Sequence, residues 1–332
     1  MSMKIAILDD FQDCVRTLEC FTLLDGHDVK VFTNSARGLG QCAIRLAPFD
    51  VLVLIRERTS LARPLLARLP KLRLISQTGK LTGQVDVSAA TALGIAIAEG
   101  VGSPVAPAEL TWALIMAATR KIVPYANNLK DGLWQSASIN PTLNGLGTVL
   151  RGRTLAIWGY GKIGRIVAGY GRAFGMHVMV WGGEESRAAA NADGVDTAAS
   201  REQFFGCADV LSLHLRLAEG TRGIVSAEDL ARMKPSALFV NTSRAELVVQ
   251  GALEAALHKG RPGSAAIDVF DNEPLAPDAP LLRIPTVLAT PHLGFVEQDS
   301  YELYFRAAFE NVINFASGNP SNIVNPEVLR AP

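Results

Sequence analysis

Short apolar runs recur through the first hundred residues, with longer and more polar segments between them. Near-continuous apolarity over a few residues is typical of a parallel strand that is covered on both faces. Five such strands joined by crossovers predict one doubly wound parallel sheet. The runs are KIAIL (4–8), VKVF (29–32), DVLVLI (50–55), LRLIS (72–76) and GIAIA (94–98).

A second array of strand-like runs follows a long apolar segment, AELTWALIMAATRKI. This segment predicts a helix, since Pro107 precedes it and proline is well tolerated in a first helical turn. Six runs match the number of strands in a complete dinucleotide-binding sheet. A last helix is predicted within 298–320 and could pack on either sheet. The runs are TLAIW (154–158), HVMVW (177–181), DVLSLHL (209–215), ALFVN (237–241), SAAIDVF (264–270) and TVLAT (286–290).

A glycine-rich turn follows the first strand of the second array. The sequence GYGKIG occupies residues 159–164, between the strand TLAIW and a helical segment. Gly159 permits a tight turn, Gly161 lets the backbone approach a pyrophosphate, and Gly164 lets helix and strand pack closely. The helix that begins near Lys162 and Ile163 offers N–H groups and a positive dipole end to phosphates. The pattern predicts a Rossmann-type dinucleotide site.

Three reactive side chains come directly after the last three predicted strands. Arg244 follows ALFVN, Glu273 follows SAAIDVF, and His292 follows TVLAT. In an open parallel sheet, ligands bind beyond the carboxyl ends of the strands, so these side chains are expected in one crevice. Reduction of a 2-keto acid needs such a set: a guanidinium for the carbonyl oxygen and the substrate carboxylate, and a proton donor. His292 is the expected donor, and Glu273 is expected to orient its imidazole and stabilise its charged form.

The composition and charge of the chain exclude some classes of binding partner. The chain has 332 residues, 32 basic and 32 acidic side chains, so no basic surface for nucleic acid is expected. The apolar runs are too short to span a membrane. Cys14, Cys20, Cys42 and Cys207 show no metal-type spacing, and no metal site is predicted. The N-terminus runs straight into a strand without a signal sequence, so we expect a cytoplasmic protein with free thiols.

Taken together, these motifs resemble the D-isomer-specific 2-hydroxyacid dehydrogenase family over nearly the whole chain. The elements NTSR, DVF-x-x-EP and TPH, in this order, carry most of the resemblance. The matching segments are GYGKIG (159–164), 209–225, MKPSALFVNTSRAELV (233–248), AAIDVFDNEPL (265–275) and TPHLG (290–294).

The resemblance implies an α/β architecture in which a Rossmann-type nucleotide domain (103–297) is inserted into a flavodoxin-like substrate-binding domain (1–102 plus 298–332). It implies that Arg244, Glu273 and His292 form the catalytic set and that the active form is a homodimer. It also implies that Asp268 faces the nicotinamide carboxamide. The other residues expected to line the cofactor are His214, Thr221, Thr242, Ser243 and Gly294.

Departures from the family pattern leave the coenzyme and the substrate open. The ribose-binding acid expected at the end of the second strand is replaced by Gly182, while Ser186 and Arg187 lie just beyond it. These residues favour NADP, or use of both NAD and NADP, although Glu184 and Glu185 could instead bind ribose hydroxyls.

The loop expected to bind the substrate carboxylate departs from the family pattern as well. It contains Gly79, Lys80 and Leu81, and the second family glycine is replaced by Leu81. Lys80 either favours a more acidic substrate or points into solvent. The sequence does not decide between small substrates such as glyoxylate, hydroxypyruvate and pyruvate.

Two alternative functions were weighed. A dinucleotide-sensing, corepressor-like binding protein shares this fold, but the intact Arg, Glu and His set disfavours it. Oxidation of formate, phosphonate or phosphoglycerate is a second alternative, and Glu273 argues against formate. A short-chain dehydrogenase is disfavoured, because no Tyr-x-x-x-Lys follows the glycine loop at a suitable place.

Overall fold

Strands with buried side chains form two separate parallel sheets, one in each of two units. The computed structural model describes residues 2–135 and 140–330. The first unit comprises the chain up to Ser103 together with the chain from Glu297 onward, and the second unit is Pro104–Val296. All residues of the strands Val51–Leu54, Leu74–Gln77, Val210–Leu213 and Leu238–Asn241 are buried, as the continuous apolar runs predicted.

The first unit contains a five-stranded sheet in the order β2-β1-β3-β4-β5, which is the flavodoxin-like order. The first crossover contains 3₁₀ helices, Val15–Thr17 and Glu19–Leu24, where an α-helix would be usual. The strands are β1 (Lys4–Ile7), β2 (Asp28–Val31), β3 (Val51–Leu54), β4 (Leu74–Gln77) and β5 (Ala96–Ala98). The helices that belong to its N-terminal part are α1 (Leu39–Leu46), α2 (Arg63–Leu66) and α3 (Val87–Ala92).

The last long helix belongs to this first unit, a point that the apolar pattern alone left open. It spans Gln298–Ala316 and will be called α12. The hydroxyl of Ser76 on β4 donates a hydrogen bond of 2.8 Å to the carbonyl oxygen of Ala308 on this helix. Phe309 packs edge-to-face on Phe21, with 6.2 Å between ring centroids. A further 3₁₀ turn, Pro326–Arg330, follows the helix.

The second unit contains a seven-stranded parallel sheet in the order β12-β11-β10-β9-β6-β7-β8. Its first six strands along the chain have the Rossmann order, and β12 extends one edge. The prediction of six strands missed the two-residue strand β8. The strands are β6 (Thr154–Trp158), β7 (His177–Trp181), β8 (Asp196–Thr197), β9 (Val210–Leu213), β10 (Leu238–Asn241), β11 (Ser264–Ile267) and β12 (Val287–Ala289).

Helices cover both faces of this second sheet and bury its apolar side chains. The long apolar helix predicted after Pro107 is present as α4, which packs against α7, β10 and β11. The helices are α4 (Val105–Thr119), α5 (Ile122–Lys130), α6 (Pro141–Asn144), α7 (Lys162–Ala173), α8 (Glu184–Ala192), α9 (Arg201–Cys207), α10 (Ala227–Arg232) and α11 (Ala252–His258).

None of the helices in the described part of the chain is both long and apolar enough to cross a membrane. The four cysteines are free thiols. Burial raises the pKa of the Cys14 thiol to about 11 and that of Cys20 to about 12, so both stay protonated and unreactive at neutral pH.

A buried ion pair joins α9 to α10. The Nε of Arg201 donates a 2.8 Å hydrogen bond to Oδ1 of Asp229, and the same guanidinium lies over the ring of Trp158. Burial alone would raise the pKa of the Asp229 carboxyl, but hydrogen bonds from Arg201 and Ser226 outweigh it and lower the pKa below the usual 3.8. The charged form of Asp229 therefore stabilises the folded chain.

The variant Asp229→Asn is expected to lose about 2 kcal/mol of unfolding free energy at pH 7, because Arg201 keeps a half-buried charge without its partner. Since folding lowers the pKa of Asp229, its contribution is present above the unfolded value and is lost as pH falls through the folded one. Urea denaturation should therefore show a smaller deficit at pH 3 than at pH 7. Asp193→Asn, which breaks the exposed pair with Arg165, is the control and should cost under about 1 kcal/mol.

Candidate active site

The glycine loop between β6 and α7 has the geometry that the motif predicted. Gly159 has a φ of +99°, and a Cβ there would lie 2.6 Å from the carbonyl oxygen of His214. A Cβ on Gly164 would lie 2.2 Å from the carbonyl oxygen of Gly159, so the helix packs directly on the turn. At Gly161, by contrast, a Cβ would meet no atom within 4 Å. The backbone at Gly161 is therefore open to a phosphate at the start of α7, where Lys162 and Ile163 are the first two residues.

The end of β7 is tied to this loop by Ser186. The hydroxyl of Ser186 accepts a 2.9 Å hydrogen bond from the N–H of Tyr160, and a Cβ on Gly182 would lie 2.9 Å from that hydroxyl. Gly182 is thus required by close packing as well as by its φ of +158°. Ser186 only accepts in this bond, so its O–H can still donate to a phosphate, and its predicted role stays a prediction. Arg187 stacks over Trp181, with 5.3 Å between its Cζ and the ring centroid.

His214 and Thr221 lie in the segment after β9. The Nε2 of His214 is 2.9 Å from the hydroxyl of Ser212, and burial lowers the pKa of His214 to about 4, so its ring is neutral at pH 7. Its backbone carbonyl packs against Gly159 of the glycine loop. Thr221 closes a local turn instead: its hydroxyl donates to the carbonyl oxygen of Arg216 at 2.7 Å and accepts from the N–H of Ala218 at 2.8 Å.

The turn that carries Arg244 is fixed by hydrogen bonds to its neighbours. The Nδ2 of Asn241 donates to the carbonyl oxygen of Arg244 at 2.9 Å, and its Oδ1 accepts from the N–H of Ser243 at 3.0 Å. The hydroxyl of Ser243 donates to the carbonyl oxygen of Leu213 on β9 at 2.8 Å. These hydrogen bonds restrict the turn, which therefore holds the backbone of Arg244 in place at the carboxyl end of β10.

Two residues of this turn region were not predicted as functional. Asn241 is 3% exposed and holds the Arg244 turn, and its signal in the sequence was an amide at the end of a fully apolar strand. Thr111 is a buried hydroxyl in the apolar helix α4, and its Oγ1 lies 2.7 Å from Oγ1 of Thr242. Both are positioning residues for the turn on which Thr242, Ser243 and Arg244 lie.

Asp268 anchors the segment that follows β12. Its carboxylate accepts hydrogen bonds from the Thr290 hydroxyl (2.6 Å), the Leu293 N–H (2.7 Å) and the Gly294 N–H (2.9 Å). Asp268 is fully buried, and this burial raises the pKa of its carboxyl above the usual value for Asp despite the hydrogen bonds. The side chain predicted to face the nicotinamide therefore also fixes the turn that contains His292.

Glu273 and His292 form the acid–imidazole pair that the sequence predicted. Oε2 of Glu273 lies 2.6 Å from Nδ1 of His292, and Oε1 accepts a 2.9 Å hydrogen bond from the N–H of Phe270. His292 has a φ of +54°, a conformation in which its N–H donates to the carbonyl oxygen of Thr290 at 3.0 Å. Because the carboxylate binds Nδ1, Nε2 is the ring nitrogen that can give a proton to a substrate.

The three catalytic candidates lie on neighbouring strands of one sheet. Arg244 follows β10, Glu273 follows β11 and His292 follows β12, and these strands are adjacent and parallel in the order β12-β11-β10. Their carboxyl ends therefore meet at one edge, the same edge at which the glycine loop follows β6. Among residues 2–135 and 140–330, no cluster of three His, Cys, Asp or Glu side chains could hold a metal ion.

The predicted substrate loop lies in the first unit and has a partner that the sequence did not reveal. Glu99, just after β5, accepts hydrogen bonds of 2.8 Å from Nζ of Lys80 and from the N–H of Leu81. The side chain of Lys80 is also 69% exposed, which fits the alternative in which it points into solvent. The N–H of Leu81 is bonded to Glu99, and that of Gly79 donates to the carbonyl oxygen of Gln77 at 3.0 Å, so neither is available to a substrate.

Comparison with known proteins identifies the family. The family model for the NAD binding domain of D-isomer specific 2-hydroxyacid dehydrogenases matches residues 112–294. A glyoxylate reductase from Aeropyrum pernix is 37% identical over 270 residues, which cover 80% of each chain.

Two solved structures share more than half of their residues with this chain. An oxidoreductase from Ralstonia solanacearum is 55% identical with a TM-score of 0.97, covering 100% of this chain and 99% of the other. A phosphoglycerate oxidoreductase from Vibrio cholerae o395 is 54% identical with a TM-score of 0.92, covering 95% and 99% respectively. The chain thus belongs to the D-isomer-specific 2-hydroxyacid dehydrogenase family and is an oxidoreductase with an NAD-binding domain.

Proposed function

We propose that this protein reduces a small 2-keto acid to the D-2-hydroxy acid with NADH or NADPH. The 2.6 Å contact between Glu273 and His292, at the sheet edge that also carries the glycine loop, is the observation that carries the proposal. An acid–imidazole pair at this place supports proton transfer and has no evident use in a protein that only senses a dinucleotide.

His292 acts as the proton donor in this reaction. The nicotinamide, when bound, supplies the hydride that adds to C2 of the keto acid. Nε2 of His292 gives its proton to the carbonyl oxygen, which becomes the hydroxyl of the product. Glu273 holds Nδ1 of the ring and stabilises the positive charge that His292 carries before the transfer. The backbone conformation of His292, fixed through Asp268, sets the direction in which the ring points.

Arg244 stabilises the negative charge that develops on the carbonyl oxygen, and its guanidinium also binds the substrate carboxylate. A planar guanidinium offers several donors at fixed angles, which suits a 2-keto acid because the two oxygens to be bound are close together. The hydrogen bonds of Asn241 and Ser243 support this role by holding the Arg244 backbone before any substrate arrives.

For the coenzyme, we propose that NADP(H) is accepted alongside NAD(H). Gly182 places no acid at the end of β7 to repel a 2′-phosphate, and Arg187 lies in the first turns of α8, close to that strand end. The Nε of Arg187 is buried and has no hydrogen-bond partner among the described residues. Ser186 contributes indirectly, through its bond to the glycine loop.

A homodimer is proposed for the active form, with α5 and the described residues 132–135 and 145–149 as the covered surface. Large apolar side chains are exposed here, including Trp134 at 75% and Leu146 at 96% of their full area. Surfaces of this kind are typical of protein interfaces. Sedimentation equilibrium should give about twice the chain mass. The exposed apolar side chains are Ile122, Val123, Leu129, Trp134, Leu146 and Val149.

The deciding experiment is oxidation of NADH and of NADPH measured against glyoxylate, hydroxypyruvate, pyruvate and longer 2-keto acids. We expect turnover with at least one acid, and kcat/KM values for the two coenzymes within about tenfold of each other. A much larger preference for NADH would contradict the coenzyme proposal alone. Tight coenzyme binding without turnover of any acid would favour the sensing protein instead.

A further inference from the structure

A cavity lies at the amino edge of the seven-stranded sheet, at the end of the strands opposite to the catalytic candidates. Its volume is about 390 Å³, and part of its wall is formed by the first residues of β9, β10, β11 and β12. Since a strand rises about 3.3 Å per residue, about 10 Å of buried sheet separates this edge from the carboxyl edge. The cavity is therefore distinct from the places predicted for the coenzyme and the substrate. The first residues of the four strands are Val210, Leu238, Ser264 and Val287.

The rest of the wall comes mainly from the segment between the end of α4 and the start of β6. Most of the residues that this segment places at the cavity are small or aliphatic, and none of the described residues that line the cavity is aromatic. Pockets of this size with a mainly apolar lining and a few polar groups are typical of sites for small molecules. Since a water molecule occupies about 30 Å³, the cavity has room for about a dozen non-hydrogen atoms. The apolar residues of this segment at the cavity are Ala117, Ala118, Val123, Pro124, Leu143 and Leu150.

The charged residues at the cavity are two cations and one acid. Lys121 and Arg153 line it together with Asp209, which is the one acid among the described lining residues. A cation from outside the lining binds this acid, since Nζ of Lys234 donates to Oδ1 of Asp209 at 2.8 Å. The other carboxylate oxygen, Oδ2, accepts a 2.8 Å hydrogen bond from the N–H of Thr154. The negative charge of Asp209 is therefore already balanced by Lys234.

Arg153 is the cation that we expect to contact a ligand. Its Nε donates a 2.8 Å hydrogen bond to the carbonyl oxygen of Val149, which holds the guanidinium at the cavity. Its Nη1 lies 3.8 Å from Oδ1 of Asp209, which is too far for a hydrogen bond. The side chain of Arg153 is 42% exposed, so a ligand can reach it. A positive charge at a mainly apolar cavity favours a ligand that has an apolar body and one anionic group.

We propose that this cavity binds a small aliphatic monocarboxylate, with the carboxylate on the guanidinium of Arg153 and the hydrocarbon part against the aliphatic wall. A planar guanidinium binds a carboxylate through two parallel hydrogen bonds, and burial of the hydrocarbon part adds the hydrophobic effect. A second copy of the chain fits less well, because the apolar side chains exposed in this segment, such as Trp134 and Leu146, bring no negative charge to Arg153. Binding at this cavity does not depend on the proposed function.

The test uses octanoate as the probe and octanamide as an uncharged molecule of the same size. Isothermal titration calorimetry of the wild-type protein should give a Kd for octanoate at least tenfold lower than the Kd for octanamide. Arg153→Met keeps an unbranched side chain but removes the charge. The Kd for octanoate should therefore rise about tenfold in this variant, while the Kd for octanamide stays within a factor of about two.

Two further variants separate the cavity from other surfaces. Ser236→Leu adds an aliphatic side chain to the lining, so it should weaken the binding of both probes at least tenfold. Arg222→Met removes an exposed arginine that lies in the same unit but follows the carboxyl end of β9, and it should change neither Kd. If Arg153→Met does not fold, the comparison of the two probes in the wild-type protein and the Ser236→Leu variant decide the matter.

Four results would overturn the proposal. The first is that octanoate does not bind to the wild-type protein, and the second is that the two probes bind equally well. The third is octanoate binding that Ser236→Leu leaves unchanged, which would place the probe on another apolar surface. The fourth is loss of a dimer both in Ser236→Leu and on addition of octanoate, measured by sedimentation equilibrium, which would make a second copy the occupant. Turnover of keto acids enters none of these measurements, so failure here leaves the proposed function unaffected.

Discussion

Replacement of His292 by Asn is expected to lower kcat for 2-keto acid reduction by about a thousandfold or more. Asparagine removes the proton that Nε2 gives to the carbonyl oxygen, while it tolerates the positive φ that His292 adopts better than most residues do. The loss should therefore appear in the chemical step and not in folding. Steady-state kinetics measure the rate, and fluorescence titration with NADH or NADPH checks that the coenzyme still binds with a similar dissociation constant.

Two further variants are compared with His292→Asn: one is a control, and the other tests the contribution of the charge on Glu273. His258→Asn changes an exposed histidine at the end of α11 in the same unit and should leave kcat unchanged. Glu273→Gln keeps a hydrogen-bond acceptor for Nδ1 but removes its charge, so a smaller loss, about ten- to a hundredfold, is expected. A His292→Asn protein that retains more than about a tenth of the wild-type rate would show that the proton comes from another group.

Arg244→Met should lower kcat/KM by about a thousandfold, since the variant removes both the charge opposite the developing oxyanion and the contact to the substrate carboxylate. Methionine fills a similar space, so the turn held by Asn241 and Ser243 should remain intact. Arg244→Lys is expected to recover only a small part of the loss, because an ammonium cannot bind two oxygens with the planar geometry of a guanidinium. The kinetic constants for the preferred keto acid, measured in the direction of reduction, test both statements.

The control for Arg244 is Arg222→Met, which removes an arginine whose side chain is 61% exposed and should leave the kinetics within a factor of about two. If Arg244→Lys recovered the full wild-type kcat/KM, a single positive charge would be sufficient and the planar geometry of the guanidinium would not be needed. A rise in KM with unchanged kcat would reduce the role of Arg244 to substrate binding.

Much of the fold follows from the sequence because parallel strands leave a strong signal. Each of the eleven apolar runs overlaps one strand by more than half of its length. The strand β8 at Asp196–Thr197 was missed because two residues cannot show a period. The place of α12 could not be predicted from the apolar pattern, since its apolar face suits either sheet, and only the family resemblance assigned 298–332 to the first unit. In the structure, contacts such as Ser76 with Ala308 hold it there.

Within the candidate site, the backbone motifs were more predictable than the side-chain partners. Gly159 and Gly164 are required by close approaches that any strand–turn–helix of this kind must make. Glu99 could not be predicted as the partner of Lys80, because the two residues are brought together only by the pairing of β4 with β5. The hydrogen bond from the N–H of Tyr160 to the hydroxyl of Ser186 could not be predicted either, because it joins two loops that follow different strands.

Asp268 sets a limit on the acidity at which the enzyme can work. Its carboxylate holds three donors around His292, and burial makes it take up a proton at a higher pH than an ordinary aspartate does. A protonated carboxyl is a weaker acceptor, so the turn that aims the imidazole would loosen while the two sheets remain folded. Protonation of Asp268 should thus lower the activity reversibly, through a residue that transfers no proton to the substrate.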